Sequence, residues 1–344
     1  MRQITSLVIL LLATIALQAQ TDKEKVLATV NVNTIKGHIY FLADDALKGR
    51  ETGTPENKIA AAYLANTLRS YGVKPNPKTG DYYQEATLQV RYRDGEEVKT
   101  KTVKSQNVIG IVEGTDPKLK DEYIIYSAHY DHVGVHKSNN PNDSIFNGAR
   151  DNAVGTTTVL SMAENLAKYP TKRSALFILF TGEEKGLLGS KYYVENPVLP
   201  LNQMVYCFNS DNAGYNDTSL ATIIGLPRTT AEKNIKESVA AFGLKAVEDP
   251  SPEQGLFDRS DNVSFAAKGI PAPTFSLGFD SFAGDVTKYY HQPGDEANTL
   301  DYDYLLKFFQ AYVLSGRSIA NDSKTPFWTA GDKYEASGKA LYKN

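Results

Sequence analysis

The chain has 344 residues, of which 41% are hydrophobic, 22% charged and 10% aromatic, and its formal net charge at pH 7 is −3. This composition is ordinary for a globular protein and excludes collagen-like, disordered and multi-span membrane classes. The near balance of charge gives no indication of a nucleic-acid partner, and a single cysteine, Cys207, excludes both an internal disulfide and a cysteine-rich zinc cluster.

Residues 1–19 have the pattern of a secretory signal peptide. Met1-Arg2 is a cationic start, residues 7–17 are apolar, and Ala19 is a small residue placed for cleavage. The apolar run is shorter than the roughly 20 residues that a spanning helix needs, so we expect no stable membrane anchor. We therefore predict a protein exported to the periplasm or secreted, whose mature chain, residues 20–344, forms a single domain.

Apolar runs and helical patterns alternate along the mature chain. The first clear helix begins at Thr54-Pro55 and ends before Gly72. Alternation of polar and apolar residues from Tyr82 to Lys104, around the Asp94-Gly95 turn, predicts an antiparallel hairpin at one sheet edge. Further strands are predicted over residues 108–112, 123–127, 175–181, 204–209 and 271–277, and further helices over residues 156–169, 185–196, 229–244 and 302–320. This order predicts an α/β fold with a mixed sheet.

Histidine and carboxylate side chains recur where the predicted strands end. The residues are His129, Asp131, Asp151, Glu183, Glu184, Asp211 and His291. In open α/β sheets the carboxyl ends of the strands form the ligand site, so we expect these side chains to lie near one another. A set of imidazoles and carboxylates without sulfur suits Zn²⁺ or a related divalent ion. The sequence therefore predicts a metal site at this edge of the sheet.

Each motif alone also has a simpler interpretation. His129-Tyr130-Asp131 fits an ordinary surface loop, and Asp151 fits a carboxylate placed at a helix N-terminus. Glu183-Glu184 fits a solvated acidic pair at a strand-to-helix turn, although metal-assisted hydrolysis needs one carboxylate on the metal and another as a proton shuttle. Their joint occurrence at successive strand ends favours the metal site.

The ordered motifs resemble those of metallopeptidase family 28, the co-catalytic di-zinc aminopeptidases, and the exported bacterial type in particular. The motifs are His129-Tyr130-Asp131, Asp151-Asn152-Ala153-x-Gly155, Thr181-Gly182-Glu183-Glu184, Asp211, Tyr290-His291-Gln292-Pro293 and the upstream residues 41–43 and 47–54. The resemblance covers nearly all of the mature chain. It implies a three-layer fold of the zinc-exopeptidase, phosphorylase/hydrolase-like type, in which helices flank a mostly parallel, twisted sheet.

The resemblance implies a ligand set of five residues for two Zn²⁺ ions. His129 and Asp211 would hold one ion, Glu184 and His291 would hold the other, and Asp151 would bridge the two.

The resemblance also implies a catalytic pair and an activity. Glu183 would be the general base, and Asp131 would orient His129 through its carboxylate. A metal-activated water would then remove N-terminal residues from peptide substrates. We expect residues 256–261 and 277–288 to form the walls of the substrate pocket.

The chain departs from the family's pattern at several positions. Arg150 precedes Asp151 where many members have an acidic or neutral residue, and Asn262 stands where relatives often have a histidine, so no substrate contact is expected of Asn262. His132 and His136 lie near the site without a matching ligand position. Too few residues lie between the hairpin and residue 108 to hold the family's protease-associated insert.

Two other functions are compatible with the motifs. Glutaminyl cyclase is a single-zinc acyltransferase of the same fold, but the full ligand set and the lone Trp328, distant from the motifs, favour hydrolysis. A non-catalytic binding relative would have lost ligands, and none is replaced. Carboxypeptidase specificity also occurs in the family, so exopeptidase is the minimum expectation.

Overall fold

The computed structural model describes residues 20–343, so the predicted signal peptide lies outside the described residues. The strands in this range are β1 (Lys74–Pro75), β2 (Tyr83–Asp94), β3 (Glu97–Val112), β4 (Tyr123–His129), β5 (Gly134–Val135), β6 (Ile145–Phe146), β7 (Ser174–Phe180), β8 (Met204–Ser210), β9 (Leu220–Ile224), β10 (Lys245–Val247) and β11 (Thr274–Leu277). The helices are α1 (Asp22–Leu27), α2 (Val32–Leu42), α3 (Pro55–Ser70), α4 (Gly155–Lys168), α5 (Leu188–Glu195), α6 (Glu232–Ala240), α7 (Asn262–Ala267), α8 (Asp285–Tyr289), α9 (Tyr302–Asn321) and α10 (Glu335–Leu341). Within these described residues, no helix is both long and apolar enough to cross a bilayer.

One mixed sheet organises the fold. Its strands follow the order β1-β3-β7-β4-β8-β11-β9-β10, with β2 paired to β3. The neighbours β7, β4, β8 and β11 are parallel, whereas β2, β3 and β1 form antiparallel pairs and β9 runs antiparallel to β11. The predicted α/β class and edge hairpin are therefore confirmed. Because the four central strands point the same way, the residues that follow them meet at one edge.

Apolar clusters cover both faces of the sheet. The larger cluster joins α2, α3, α4 and α9 to one face and includes Tyr126 and Phe177. The smaller cluster joins α5 and α7 to the other face and includes Ile125 and Ile178. Successive side chains of a strand point to opposite faces, which is why neighbours along β4 and β7 belong to different clusters. The result is the three-layer arrangement that the resemblance implied.

The sequence signals of α3 are confirmed in detail. The Thr54 hydroxyl accepts a hydrogen bond from the backbone N–H of Asn57 at 3.2 Å, and Pro55 occupies the first helical turn. The helix ends at Ser70, and Gly72, two residues later, has a φ of 79° that favours glycine.

Several predicted boundaries differ from the observed ones. The hairpin arm and the strand predicted at residues 108–112 are one continuous strand, β3. The strand predicted from Pro271 begins at Thr274, because the two prolines before it have no backbone N–H. The helix predicted from Lys185 begins at Leu188, because residues 182–187 form a turn whose N–H groups bond back to Glu183. That turn carries two of the predicted site residues.

Candidate metal centre

The five predicted metal ligands come together at the carboxyl edge of the central strands. They are His129 at the end of β4, Asp211 after β8, Glu184 after β7, Asp151 in the turn before α4, and His291 in the loop after α8. The peptide bond between Asp151 and Asn152 is cis. We call these five residues the histidine/carboxylate cluster.

The cluster divides into two donor groups that share Asp151. In the first group, Nε2 of His129 lies 3.3 Å from Oδ1 of Asp151 and 3.2 Å from Oδ1 of Asp211. In the second group, Nε2 of His291 lies 3.2 Å from Oδ2 of Asp151 and 3.1 Å from Oε2 of Glu184. The two carboxylate oxygens of Asp151 therefore face two different imidazoles.

The spacing of these donor atoms suits a tetrahedral ion. Two ligands bound to one zinc at roughly 2.0–2.1 Å, with tetrahedral angles, lie about 3.3 Å apart. The separations from Nε2 of each histidine to its carboxylate neighbours are 3.1 to 3.3 Å. Nitrogen and carboxylate donors at this spacing are consistent with zinc binding.

The electrostatics of the cluster favour positive charge. Burial opposes protonation of His129, but Asp211, Glu183 and Asp151 outweigh it and raise the pKa of His129 well above its ordinary value. Burial likewise opposes protonation of His291, whose pKa is nevertheless raised to about 10 by Asp151 and Glu184. For Asp151 the cost of burial is outweighed by hydrogen bonds from the two histidines, which hold its pKa well below its ordinary value. A divalent cation would satisfy the same carboxylates in place of these protons.

Asp131 supports His129 through a different atom from the one that we expected. Nδ1 of His129 lies 3.1 Å from the backbone carbonyl oxygen of Asp131 and 3.9 Å from its carboxylate. The carboxylate instead accepts hydrogen bonds from the Thr52 hydroxyl at 2.8 Å and from the backbone N–H of Glu183 at 3.2 Å. Asp131 thus ties the turn that carries Glu183 to the strand that carries His129.

Glu183 lines the pocket that opens onto the cluster. Burial raises the pKa of its carboxyl well above the ordinary value, and Asp211 and Glu184 add to this, against the opposing effect of His129. The pocket is open on one side, and the space between its walls, counted out to the open solvent, is about 560 Å³. Its apolar wall consists of Ile224, Leu256, Phe279 and Phe282. Leu256 and the two phenylalanines belong to the loops expected to form the walls.

Arg150 points away from the cluster. Its Nη1 donates to Oδ1 of Asp295 at 3.0 Å and to the Thr299 hydroxyl at 2.8 Å, and its guanidinium stacks on Tyr289 at 3.7 Å. The Asp295 carboxylate also accepts a hydrogen bond from the backbone N–H of Asp151 at 3.2 Å. The charge that departs from the family pattern is therefore neutralised, and its counter-ion helps to place Asp151.

The other departure, Asn262, is buried. Its Nδ2 donates to the carbonyl oxygens of Phe257 at 3.0 Å and Ala272 at 3.1 Å. These hydrogen bonds fix the loop that carries Leu256, so Asn262 supports the pocket wall without lining the pocket.

The sequence analysis left one residue of this region without a role. His132 is fully buried, and its Nδ1 lies 2.8 Å from Oε1 of Glu184. The only signal in the sequence was the spacing His129-x-x-His132 at a strand end. In a loop neither a helical nor a strand period indicates which way a side chain points, so this signal was insufficient.

The chain is similar to known peptidases in sequence and in fold. A model of Peptidase family M28 matches residues 107–314, more than half of the chain. Aminopeptidase YwaD of Bacillus subtilis (strain 168) is 32% identical over 198 residues, which are 56% of this chain and 39% of that protein. The chain therefore matches less than half the length of this relative.

Two solved structures share the fold. The zinc aminopeptidase BSAP from Bacillus subtilis superposes with a TM-score of 0.63 at 17% identity, over 89% of this chain and 97% of that one. The glutaminyl cyclase of Porphyromonas gingivalis has a TM-score of 0.63 at 18% identity, over 83% and 98% of the two chains. At this level of identity, the likeness concerns the fold alone.

Proposed function

Since the chain belongs to peptidase family M28, we propose that it is an exported di-zinc aminopeptidase. The observation that carries this proposal is the orientation of Asp151, whose two carboxylate oxygens lie 3.3 and 3.2 Å from the imidazoles of two different histidines. A carboxylate with one oxygen in each donor group supports a bridge between two ions.

The proposed ligands follow from the two donor groups. His129 and Asp211 would hold one Zn²⁺, Glu184 and His291 would hold the other, and Asp151 would bridge them. When bound, such a pair of ions supplies an activated water and a polarised scissile carbonyl. The protein's own side chains bind the peptide and transfer the protons.

Glu183 is the proposed general base. It precedes a proposed ligand in the turn after β7, and the side chains of adjacent residues point in different directions, so Glu183 faces the pocket while Glu184 faces the second donor group. In this position its carboxylate takes a proton from the attacking water and delivers one to the leaving amine. The hydrogen bond from its backbone N–H to Asp131 fixes the turn during both transfers.

The pocket supports recognition of a peptide's N-terminal residue. A free amino terminus is cationic, and the carboxylates of Glu183 and Asp211 face the same pocket. The apolar wall next to them, which includes Ile224 and Phe282, suits an apolar side chain on that residue. We therefore propose peptides that begin with a large apolar residue as substrates. Export is proposed on the pattern of residues 1–19 alone.

The experiment is hydrolysis of a panel of aminoacyl anilides by the mature protein, together with its zinc content. We expect about two zincs per chain and release of apolar residues. Glu183→Gln should abolish release and retain the zinc. A protein that holds zinc but cleaves no aminoacyl substrate would contradict the proposal, and so would a Glu183→Gln variant that keeps full activity.

Glutaminyl cyclase is the second candidate, because a cyclase shares the fold. The first donor group is complete in this chain, because one donor atom from each of His129, Asp151 and Asp211 lies within 4.8 Å of the others. A single-zinc enzyme has no need of two complete donor groups, so the cluster favours hydrolysis.

A further inference from the structure

His132 is a buried histidine to which the proposed mechanism assigns no task. Its Nδ1 lies 2.8 Å from Oε1 of Glu184, but the two atoms are not oriented as a regular hydrogen bond requires. Among the described residues, both ring nitrogens of His132 and this oxygen of Glu184 have no hydrogen-bond partner. Buried polar atoms of native proteins are almost always paired, so these three atoms call for a further partner.

The direction of His132 indicates what that partner is. One donor atom from each of His132, Asp151, Glu184 and His291 lies within 4.8 Å of all the others. The rings of His132 and His291 are 5.5 Å apart and inclined at 76°, so they approach this small volume from different sides. Two imidazoles and two carboxylates that converge on one small volume form a donor set that suits a divalent cation.

The backbone holds His132 in this position. A Cβ atom on Gly148 would lie 2.6 Å from Cγ and Cδ2 of His132, so only a glycine permits this close packing on the ring. The buried guanidinium of Arg50 donates to the carbonyl oxygens of Tyr130 at 2.6 Å and Gly148 at 2.8 Å. Both segments that flank the ring are thereby fixed to one side chain.

We propose that His132 is a fourth protein ligand of the ion held by Asp151, Glu184 and His291. This inference rests on the proposed function, because it adds a donor to the second group of the same centre. The first group then has three protein donors, the number that leaves a position open for water or substrate in catalytic zinc sites, and the second has the four that are typical of closed sites. The second group should therefore bind zinc more tightly and release it more slowly to a chelator.

The test is a competition titration of the purified protein with a chromophoric zinc chelator. His132→Ala should weaken the tighter of the two zinc-binding steps by more than the roughly 10- to 100-fold that loss of a ligand's hydrogen-bond partner costs. His136→Ala is the matched control, because His136 lies four residues after His132, beyond β5, and is exposed. It should leave both steps unchanged. Equal melting temperatures of the metal-free proteins would show that the variant folds.

The variant His132→Gln distinguishes a metal-binding role of His132 from a hydrogen-bonding role, because glutamine keeps an N–H that can donate to Glu184. Recovery of wild-type zinc affinity in this variant would overturn the proposal. The crystal structure of the zinc-loaded wild-type protein gives an answer that does not depend on a variant. Nδ1 of His132 should lie about 2.0–2.1 Å from a zinc ion, and a separation beyond about 3 Å would overturn the proposal.

The two proposals fail in different ways. If the wild-type protein binds two zincs and cleaves peptides but His132→Ala retains both affinities, only the assignment of His132 is wrong. If the wild-type protein binds no zinc, the proposed function is wrong as well.

Discussion

Replacing Asp295 with asparagine should both destabilise the fold and weaken zinc binding at the proposed metal centre. Asp295 and Arg150 are 1% and 3% exposed. The Asp295 carboxylate accepts hydrogen bonds from Nη1 of Arg150 at 3.0 Å, from the backbone N–H of Arg150 at 2.9 Å and from that of Asp151 at 3.2 Å. Loss of one partner of a buried ion pair costs about 3–5 kcal/mol. Asparagine keeps one acceptor oxygen for these donors, so we expect a loss of about 3 kcal/mol.

The second consequence concerns zinc. The one oxygen that asparagine keeps pairs with Nη1 of Arg150, so the backbone N–H of Asp151 faces the amide nitrogen and loses its acceptor. The proposed bridging carboxylate is then held less firmly, and zinc affinity should fall by roughly 10- to 100-fold. Urea unfolding in the presence of a chelator measures the first effect without the contribution of bound metal. Competition with a chromophoric chelator measures the second.

Glu122→Gln is the matched control for Asp295→Asn. Glu122 pairs with Arg173, a fully buried arginine whose Nε lies 2.7 Å from Oε2 of Glu122. Arg173 directly precedes β7, so this ion pair lies at the opposite end of that strand from the cluster. This variant should lose stability and keep its zinc affinity. The reasoning is refuted if Asp295→Asn costs less than about 1 kcal/mol, or if both variants weaken zinc binding equally.

Three further predictions concern stability and the pocket. Burial lowers the pKa of His38 from 6.5 to about 4. The neutral ring therefore stabilises the fold fully at a pH above the pKa of His38 in the unfolded chain, and this stabilisation is lost as the pH falls. We expect a loss of about 2 kcal/mol between roughly pH 8 and pH 5 in urea unfolding, and His38→Gln should lack this component. Trp328 packs on Phe257 in the pocket-wall loop, so Trp328→Ala should raise KM with little change in kcat, and a fall in kcat alone would contradict this. A Cβ on Gly316 would lie 2.4 Å from a buried methionine methyl group, whereas one on Gly37 meets nothing within 4 Å. Gly316→Ala should therefore lower the melting temperature, and Gly37→Ala should stabilise by about 0.5–1 kcal/mol.

Elements with strong local signals could be predicted from the sequence. The N-cap and proline of α3 identify its start without reference to the rest of the chain, and the buried central strands appear as apolar runs such as β7. The sequence analysis did not predict β9, and this strand exists because it pairs with β11 and β10, which are distant in sequence. A five-residue strand has too few residues for a periodic pattern, so pairing decides its conformation.

Some features of the candidate site could likewise be predicted from the sequence, and others could not. The order of motifs was sufficient to bring five side chains to one edge, because each follows or precedes an element of recognisable type. The role of Asp131 was harder to predict, since its carbonyl contacts His129 while its carboxylate turns to Thr52. The direction of His132 depends on packing against Gly148. Tertiary contacts between loops determine these side-chain directions, and no local sequence pattern encodes such contacts.

The most direct test of the account is the mass of the product formed from a peptide that begins with glutamine. Hydrolysis by a di-zinc aminopeptidase yields free glutamine and a peptide shortened by one residue, whereas cyclisation yields a peptide of unchanged length that has lost ammonia. We predict the shortened peptide from the zinc-loaded protein, formed more slowly than from the same peptide with leucine in place of the first glutamine. It should not form with Glu183→Gln or when the N-terminus is acetylated. A peptide that has only lost ammonia would contradict the proposed function and identify a cyclase.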